Sequence, residues 1–565
     1  MQSQGLQTLD YLVFLFYFVV VAGYGYWIYQ RKQALITTSN DFFLAEGSLT
    51  WWAIGASLIA SNISAEQFIG MSGNGFRLGL AIATYEWMAA ATLLIVAIFF
   101  MPIYLKNKIF TMPQFLAQRY SPTVSLIMAI FWLMLYIAVN LTSILYLGAL
   151  AITTISGIDV TVCMIGMSVF AIIITLGGMK VIGYTDVIQV FFLVLGGLAT
   201  SYLALTMVTD RFGGSGVFDG IGHLLNKAPE HFHMILNKDL GPDGKLLNPN
   251  YPSLPGLAVL VGGMWIINLN YWGCNQYITQ RALGADLNTA RNGILFAAFL
   301  KLMMPIIVVL PGIAAYLLYK DGMFQTEMLK DGVLNQDSAY PVLLNLLPTG
   351  LKGLSFAALT AAVVASMAGK ANSISTIFTL DIYKKYLNPT ANEETLVRVG
   401  RIAVVASMVA AVVIAPLMGI DKKGGFEFIQ EYTGYVSPGI FALFTMGFFW
   451  KRTTSKAALF ALLGGVTFSI ITKFIPTWTG LSDTIFYTAF ADETGTMMIP
   501  FMDRMGWVFI FCIVSMVVIT LSDPESKNNP QGLEIDAKMF KLSPTFIFGT
   551  VVICLFLTLV YTYFW

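Results

Sequence analysis

Two stretches of this 565-residue chain set polar side chains among apolar ones. Residues 55–73 carry Ser61, Asn62, Ser64, Glu66 and Gln67 in their middle, and residues 261–276 carry Asn268, Asn270, Asn275 and Gln276. Four ionisable residues also sit inside or at the edge of apolar runs: Glu86, Asp186, Lys301 and Lys370. A charge at the centre of a bilayer costs at least about 2.5–3.5 kcal/mol on insertion scales, so each needs a partner or water. A carboxylate, an ammonium and several amides suit a polyhydroxy solute. Hydroxyls both donate and accept, charged partners strengthen those bonds, and a flat aromatic packs on the C–H face of a ring. Small polar residues also serve as interhelical glue, and Asp186 is placed equally well at a membrane face.

The elements that position these residues are membrane spans. Residues of the AVILMFWYC set make up 57% and charged residues 11% of the chain, and mean hydropathy is +0.73. A soluble domain is about a quarter charged, so these residues cannot build a water-facing surface. A span needs about 20 apolar residues, and about fourteen such runs are present, predicting an all-α polytopic membrane protein. Basic residues collect in alternate loops (Arg31/Lys32, Lys106/Lys108/Arg119, Lys180, Arg281/Arg291, Lys384/Lys385/Arg398/Arg401, Lys451/Arg452/Lys456, Lys527/Lys538/Lys541), with Lys422/Lys423 the exception. The positive-inside rule then places both termini outside. The first run is followed, not preceded, by positive charge, unlike a signal peptide.

Other chemistries find little support. The formal net charge of +1 gives no reason to expect a nucleic-acid partner. His223, His231 and His233 share one polar stretch, 209–255, where packing is expected rather than metal binding. Cys163, Cys274, Cys512 and Cys554 are widely spaced and read as buried small hydrophobes. No GxxxxGK[ST] string occurs, so ATP hydrolysis is not expected. An enzyme would need a nucleophile or metal cluster that the spans lack; no cofactor is expected.

The two polar clusters lie five spans apart. That spacing fits two inverted five-span repeats, each opening with a broken helix whose ends and free carbonyls serve solute and ion. The corresponding division is 1–48, a peripheral first helix and loop; 49–210, the first repeat; 211–255, an outer loop; 256–450, the second repeat; and 451–565, peripheral C-terminal helices.

The strings beginning Ala65-Glu-Gln-Phe-Ile-Gly, Tyr85-Glu-Trp-Met, Asn140-Leu-Thr-Ser, Thr185-Asp-Val-Ile-Gln, Tyr271-Trp-Gly, Phe378-Thr-Leu-Asp-Ile-Tyr and Gln430-Glu-Tyr-Thr-Gly-Tyr-Val-Ser-Pro-Gly resemble the solute:sodium symporter family, in its sodium/glucose and sodium/galactose branch. The resemblance runs through most of the chain. It implies a LeuT-like core, alternating access, a monosaccharide as the small-molecule partner, sodium as coupling ion, and residence in the lipid of a bacterial inner membrane. It implies sugar contacts at Gln67, Glu86, Asn268, Lys301 and Gln430. Tyr271 matches an inner-gate aromatic, Met71, Tyr85 and Phe426 an outer cover, and Asn62 with Asn140 a polar pair near the gate. A family serine reads Ala89 here and a family tyrosine reads Asn270. Oligomeric state is not legible.

The coupling site departs from the family. The matching carbonyl positions are Ala60, Ile63 and Ala362, but the serine pair reads Ala365-Ser366, so one hydroxyl ligand is absent. Lys370 follows Ser366 by four residues, on the same helix face. Its ammonium could take the ion's place, with Asp186 as partner; unit charges at 4 Å interact by about 4 kcal/mol at an effective dielectric of ~20. Three outcomes stand open: sodium coupling with a substitute oxygen, a sodium-independent uniporter or proton-coupled carrier with Lys370 in place of sodium, or a lysine that merely faces the vestibule. A non-transporting sugar sensor and a carrier of another solute are further alternatives.

Overall fold

The computed structural model describes residues 6–32, 42–43, 49–239, 246–330, 332–417, 425–480, 490–491, 497–528 and 532–565. Residues 240–245 of the polar stretch and Lys422/Lys423 fall outside these. Among the described residues, ten helical runs are long and apolar enough to cross a membrane, and Val160–Thr175 and Ser437–Phe449 are shorter apolar helices. The run Glu66–Lys106 has 41 residues, about twice one crossing, and turns at Gly79, whose φ of +69° favours glycine.

Both polar stretches interrupt their helices. Helix Trp51–Asn62 ends at Ile63, whose backbone is extended (φ −77°, ψ 119°), and the chain resumes as a wide π-type turn over Glu66–Met71. The cause is local. Ser64 Oγ accepts from the Glu66 amide at 3.2 Å, and Gln67 Oε1 accepts from the Ser64 amide at 2.8 Å. These two bonds satisfy donors that a helix start leaves open. In the other stretch, a π-type turn at Val259–Gly263 leads into helix Met264–Gly273. That helix stops at Cys274 (φ −116°, ψ 4°), and Gln276–Leu283 restarts beyond Asn275.

The chain falls into two compact units. The first comprises Met1–Glu86, Phe131–His233 and Gln280–Ile429. Its centre is helix Leu351–Thr376, buried along nearly its whole length. Small residues permit close approach, here and nearby: a Cβ on Gly196 of helix Gly178–Phe212 would stand 2.6 Å from the Ala358 Cβ, and between helices Trp51–Asn62 and Leu287–Val308 one on Gly55 would stand 2.7 Å from the Gly293 carbonyl. Close packing of this kind replaces the hydrophobic drive that lipid does not supply. The helix begins after Gly350 (φ +90°), where buried Asp10 accepts from the Gly350 and Gly353 amides at 2.7 and 2.9 Å.

The second unit comprises Trp87–Ile130, Met234–Thr279 and Gln430–Trp565. Here Arg119, counted among loop cations in the sequence, is fully buried. It donates to the carbonyls of Gly447, Trp450, Lys451 and Thr453 at 2.8–3.2 Å. These lie at and just beyond the C-terminal end of helix Ser437–Phe449, where a cation complements the helix dipole.

Candidate functional site

The break at Ile63–Ala65 organises the first unit's polar groups. Asn62, the last residue of its helix, offers Oδ1 to the Lys301 ammonium, which also donates to Glu86 Oε2. Lys301 comes from helix Leu287–Val308 and Glu86 from helix Thr84–Ile95. Both are almost fully buried. Three expected residues thus meet as one hydrogen-bonded ion pair. Gln67 lies just past the break with its carbonyl committed to Ser64, which leaves its Nε2 amino group as its means of donating to a solute.

Above the break, Tyr85 and Phe426 pack edge to face with centroids 5.0 Å apart. A Cβ on Gly70 would stand 2.6 Å from the Phe426 Cβ, so glycine permits this approach. Met71 is fully buried. The Asn140 Nδ2 has no hydrogen-bond partner among the described residues.

The carbonyls freed by the break converge on one atom. Ser366 Oγ, on helix Leu351–Thr376, lies 3.3 Å from the Ala60 carbonyl, 3.0 Å from that of Ser61 and 3.2 Å from that of Ile63. One hydroxyl proton cannot serve three acceptors, so the cluster presents a surplus of hard oxygens to a small cation. Ser61 joins the expected Ala60 and Ile63; Ala362 and Ala365 are buried on the same helix as Ser366. The donor set fits sodium through carbonyls and one hydroxyl.

Asp186 has other partners than the expected Lys370. Ser57 Oγ donates to its Oδ2 at 2.5 Å, Arg281 Nε donates to Ser57 Oγ at 2.8 Å, and Arg281 Nη2 lies 3.9 Å from Asp186. Glu66 and Arg281 are among the charged groups that act on buried Lys370. Glu66, Ser57 and Arg281 are therefore polar participants that sequence reasoning did not assign. Glu66 stood in the polar cluster, but Arg281 read as a loop cation; only its burial reveals its role.

The remaining expected residues lie on the second unit. Asn268 Nδ2 donates to the Met264 carbonyl at 3.0 Å, and Asn270 Nδ2 to Ser437 Oγ at 3.1 Å. Tyr271 meets the rings of Trp272 and Tyr277 edge-on at 5.1 and 5.6 Å. The helix end beside it is capped by the Tyr104 hydroxyl, which donates to the Gly273 carbonyl at 2.6 Å. Ala89 is buried and Gln430 half-buried. Among the described residues no cluster of three or more His, Cys, Asp or Glu side chains could hold a metal ion. Buried His231 instead stacks on Tyr316 at 3.7 Å.

Interrupted apolar helices with buried charges at the interruption define an integral membrane protein of transporter type. The model of the sodium:solute symporter family matches residues 42–465. The sodium/glucose cotransporter of Vibrio parahaemolyticus is 44% identical, covering 100% of this chain and 99% of that one. The sodium/myo-inositol cotransporter 2 of Homo sapiens is 32% identical over 83% of this chain and 70% of its own. Among solved structures, a substrate-bound, outward-open Na+-coupled sialic acid symporter superposes with a TM-score of 0.73 at 21% identity, covering 91% of this chain and 98% of that one. Mhp1, a nucleobase-cation-symport-1 family transporter in a closed conformation, superposes with a TM-score of 0.51 at 12% identity over 91% and 99%. The chain belongs to the sodium:solute symporter family.

Proposed function

We propose that the chain is a sodium-coupled monosaccharide carrier, of glucose or galactose type, working by alternating access. The observation that carries this reading is the buried Lys301 ammonium held between Asn62 and Glu86 beside a broken helix. Full-length similarity to a sodium/glucose cotransporter supports it. A sugar hydroxyl exchanges into the Lys301–Glu86 pair, receiving from one and donating to the other. Gln67 donates through Nε2, and the family resemblance adds Asn268 and Gln430 as sugar contacts. Ala89 offers no hydroxyl of its own. Tyr271 closes the cytoplasmic side, and Met71, Tyr85 and Phe426 the outer side. We place the protein in a bacterial inner membrane with about fourteen spans, both termini outside, and the two inverted repeats at 49–210 and 256–450.

Sodium is read into the focus of Ala60, Ser61, Ile63, Ala362 and Ser366. An ion there ties the end of helix Trp51–Asn62 to helix Leu351–Thr376, which links ion occupancy to the Asn62–Lys301 end of the sugar site. A second reading rests on Ala365, which removes one hydroxyl, and on Lys370, whose buried charge lies within the influence of Glu66. In that reading Lys370 takes the place of sodium and the carrier is a uniporter or proton-coupled.

Labelled glucose and galactose uptake into proteoliposomes separates the two. Accumulation above equilibrium under an inward sodium gradient, absent in choline, supports sodium symport. Uptake that equilibrates and ignores sodium, with Lys370→Ala altering it, favours the second reading. Absence of sugar uptake or binding under every gradient overturns both.

A further inference from the structure

A cavity of about 320 Å³ lies in the first unit, and its lining includes none of the residues assigned to sugar or ion. Val21, Ile173, Ile174 and Val181 line its apolar part, and Arg401 supplies its charge. Ala22, Tyr26 and Ile173 are exposed, so the cavity opens on a surface that faces lipid. Three chain ends fix its depth. Tyr26 lies six residues before the end of helix Thr8–Lys32, Leu176 and Gly177 form the turn after Val160–Thr175, and Arg401 lies eight residues into helix Glu393–Ile414. At 1.5 Å per residue, both helix positions lie within about 12 Å of the helix ends. Tyr24 and Trp27, with stacked rings, are also of the type that occupies the headgroup level.

Arg401 is singular in this setting. Its guanidinium carbon stands 5.8 Å from the Phe42 ring centroid. Its Nε is buried and has no hydrogen-bond acceptor among the described residues. A buried donor without an acceptor is costly, and a planar guanidinium fits a phosphate through paired donors. Its neighbourhood in sequence is basic as well: Lys180 adjoins Val181, and Arg31 and Lys32 end the first helix. A cationic donor over an apolar slot, at interfacial depth, matches a ligand with an anionic phosphodiester above hydrocarbon.

We infer that this cavity is a binding site for an anionic phospholipid, its phosphate on Arg401 and an acyl chain against Val21, Ile173 and Ile174. Neutral zwitterionic lipid satisfies the apolar part but carries a compensating ammonium. One cation near the surface then favours the anionic lipid by about fivefold.

Native mass spectrometry of the detergent-solubilised full chain, with phosphatidylglycerol or phosphatidylcholine added, tests this. Wild type is expected to retain phosphatidylglycerol about fivefold better, Arg401→Gln to lose that preference, and Arg401→Lys to keep part of it. Ala22→Trp, which fills the slot from the lipid side, is expected to lower retention of both lipids with Arg401 intact. Inorganic phosphate is expected not to displace the lipid. Equal retention of the two lipids by wild type, an undiminished preference in Arg401→Gln, unaltered retention in Ala22→Trp, or displacement by free phosphate overturns the assignment. None of these readouts depends on which sugar or ion is carried.

Discussion

Gln67 holds two tasks on one amide. Its carbonyl caps the restarted helix through Ser64, and its amino group is the part left to donate to solute. Gln67→Glu keeps an acceptor for the cap and removes the donor. Uptake is then expected to fall about fivefold to 150-fold, the value of about 1–3 kcal/mol for a buried bond, while thermal unfolding stays near wild type. Gln67→Ala loses both tasks, so the unfolding midpoint drops as well. A Gln67→Glu carrier with wild-type uptake would exclude the donor role. Ala365 yields the reverse experiment. Ala365→Ser restores a hydroxyl beside the carbonyl focus of Ser366. A dipole on a charged group contributes about 1.5–3 kcal/mol, so the sodium concentration for half-maximal uptake should fall about tenfold or more. No change would mean that no sodium ion sits against that side of the helix. The polar clusters were legible in the sequence because amides are conspicuous among Ile, Leu and Ala. The pairing of Lys301 with both Asn62 and Glu86 was not, since their separations of 239 and 215 residues carry no local signal.

Helix ends decide where the breaks fall. The Ser64-x-x-Gln67 cap and the Tyr104–Gly273 bond hold the two interruptions open by supplying partners for the groups that regular helix would have paired. The same device starts the central helix: Asp10 closes on the Gly350 and Gly353 amides, where its charge also meets the positive end of the helix dipole. Asp10→Ala should therefore destabilise the protein by about 1–2 kcal/mol, seen as a lower unfolding midpoint in detergent, and Asp10→Asn should recover part of it. An unchanged midpoint in Asp10→Ala would assign the helix start to Gly350 alone. The Ser64–Gln67 bond spans only four consecutive residues. The bonds of Asp10 could not be read locally, because its targets lie 340 and 343 residues away.

For the whole molecule, symport requires that ion and sugar favour the same state. The coupling is reciprocal: whatever factor sodium contributes to sugar affinity, sugar contributes to sodium affinity. Sodium and sugar together should raise the unfolding midpoint by more than the sum of their separate effects, since each ligand stabilises in proportion to its own tightened binding. Strictly additive shifts, in a protein that concentrates sugar, would locate the linkage in the kinetics of the transport cycle and not in binding. Lys370→Ala measured in the same way reports whether the buried ammonium competes with the ion.

Apolar content and its periodic interruption determined that this chain spans a membrane and where two of its helices break, because the cost of unpaired polar groups in hydrocarbon leaves few other arrangements. Motif strings pointed to the family. Tertiary structure alone decided the partnerships of the charges. It set Arg281 beside Asp186, brought Glu66 and Arg281 to bear on Lys370, and used Arg119 as a buried cap. A cation written in a loop looks the same whether it meets water or a buried carbonyl; burial, which depends on distant segments folding over it, separates the two.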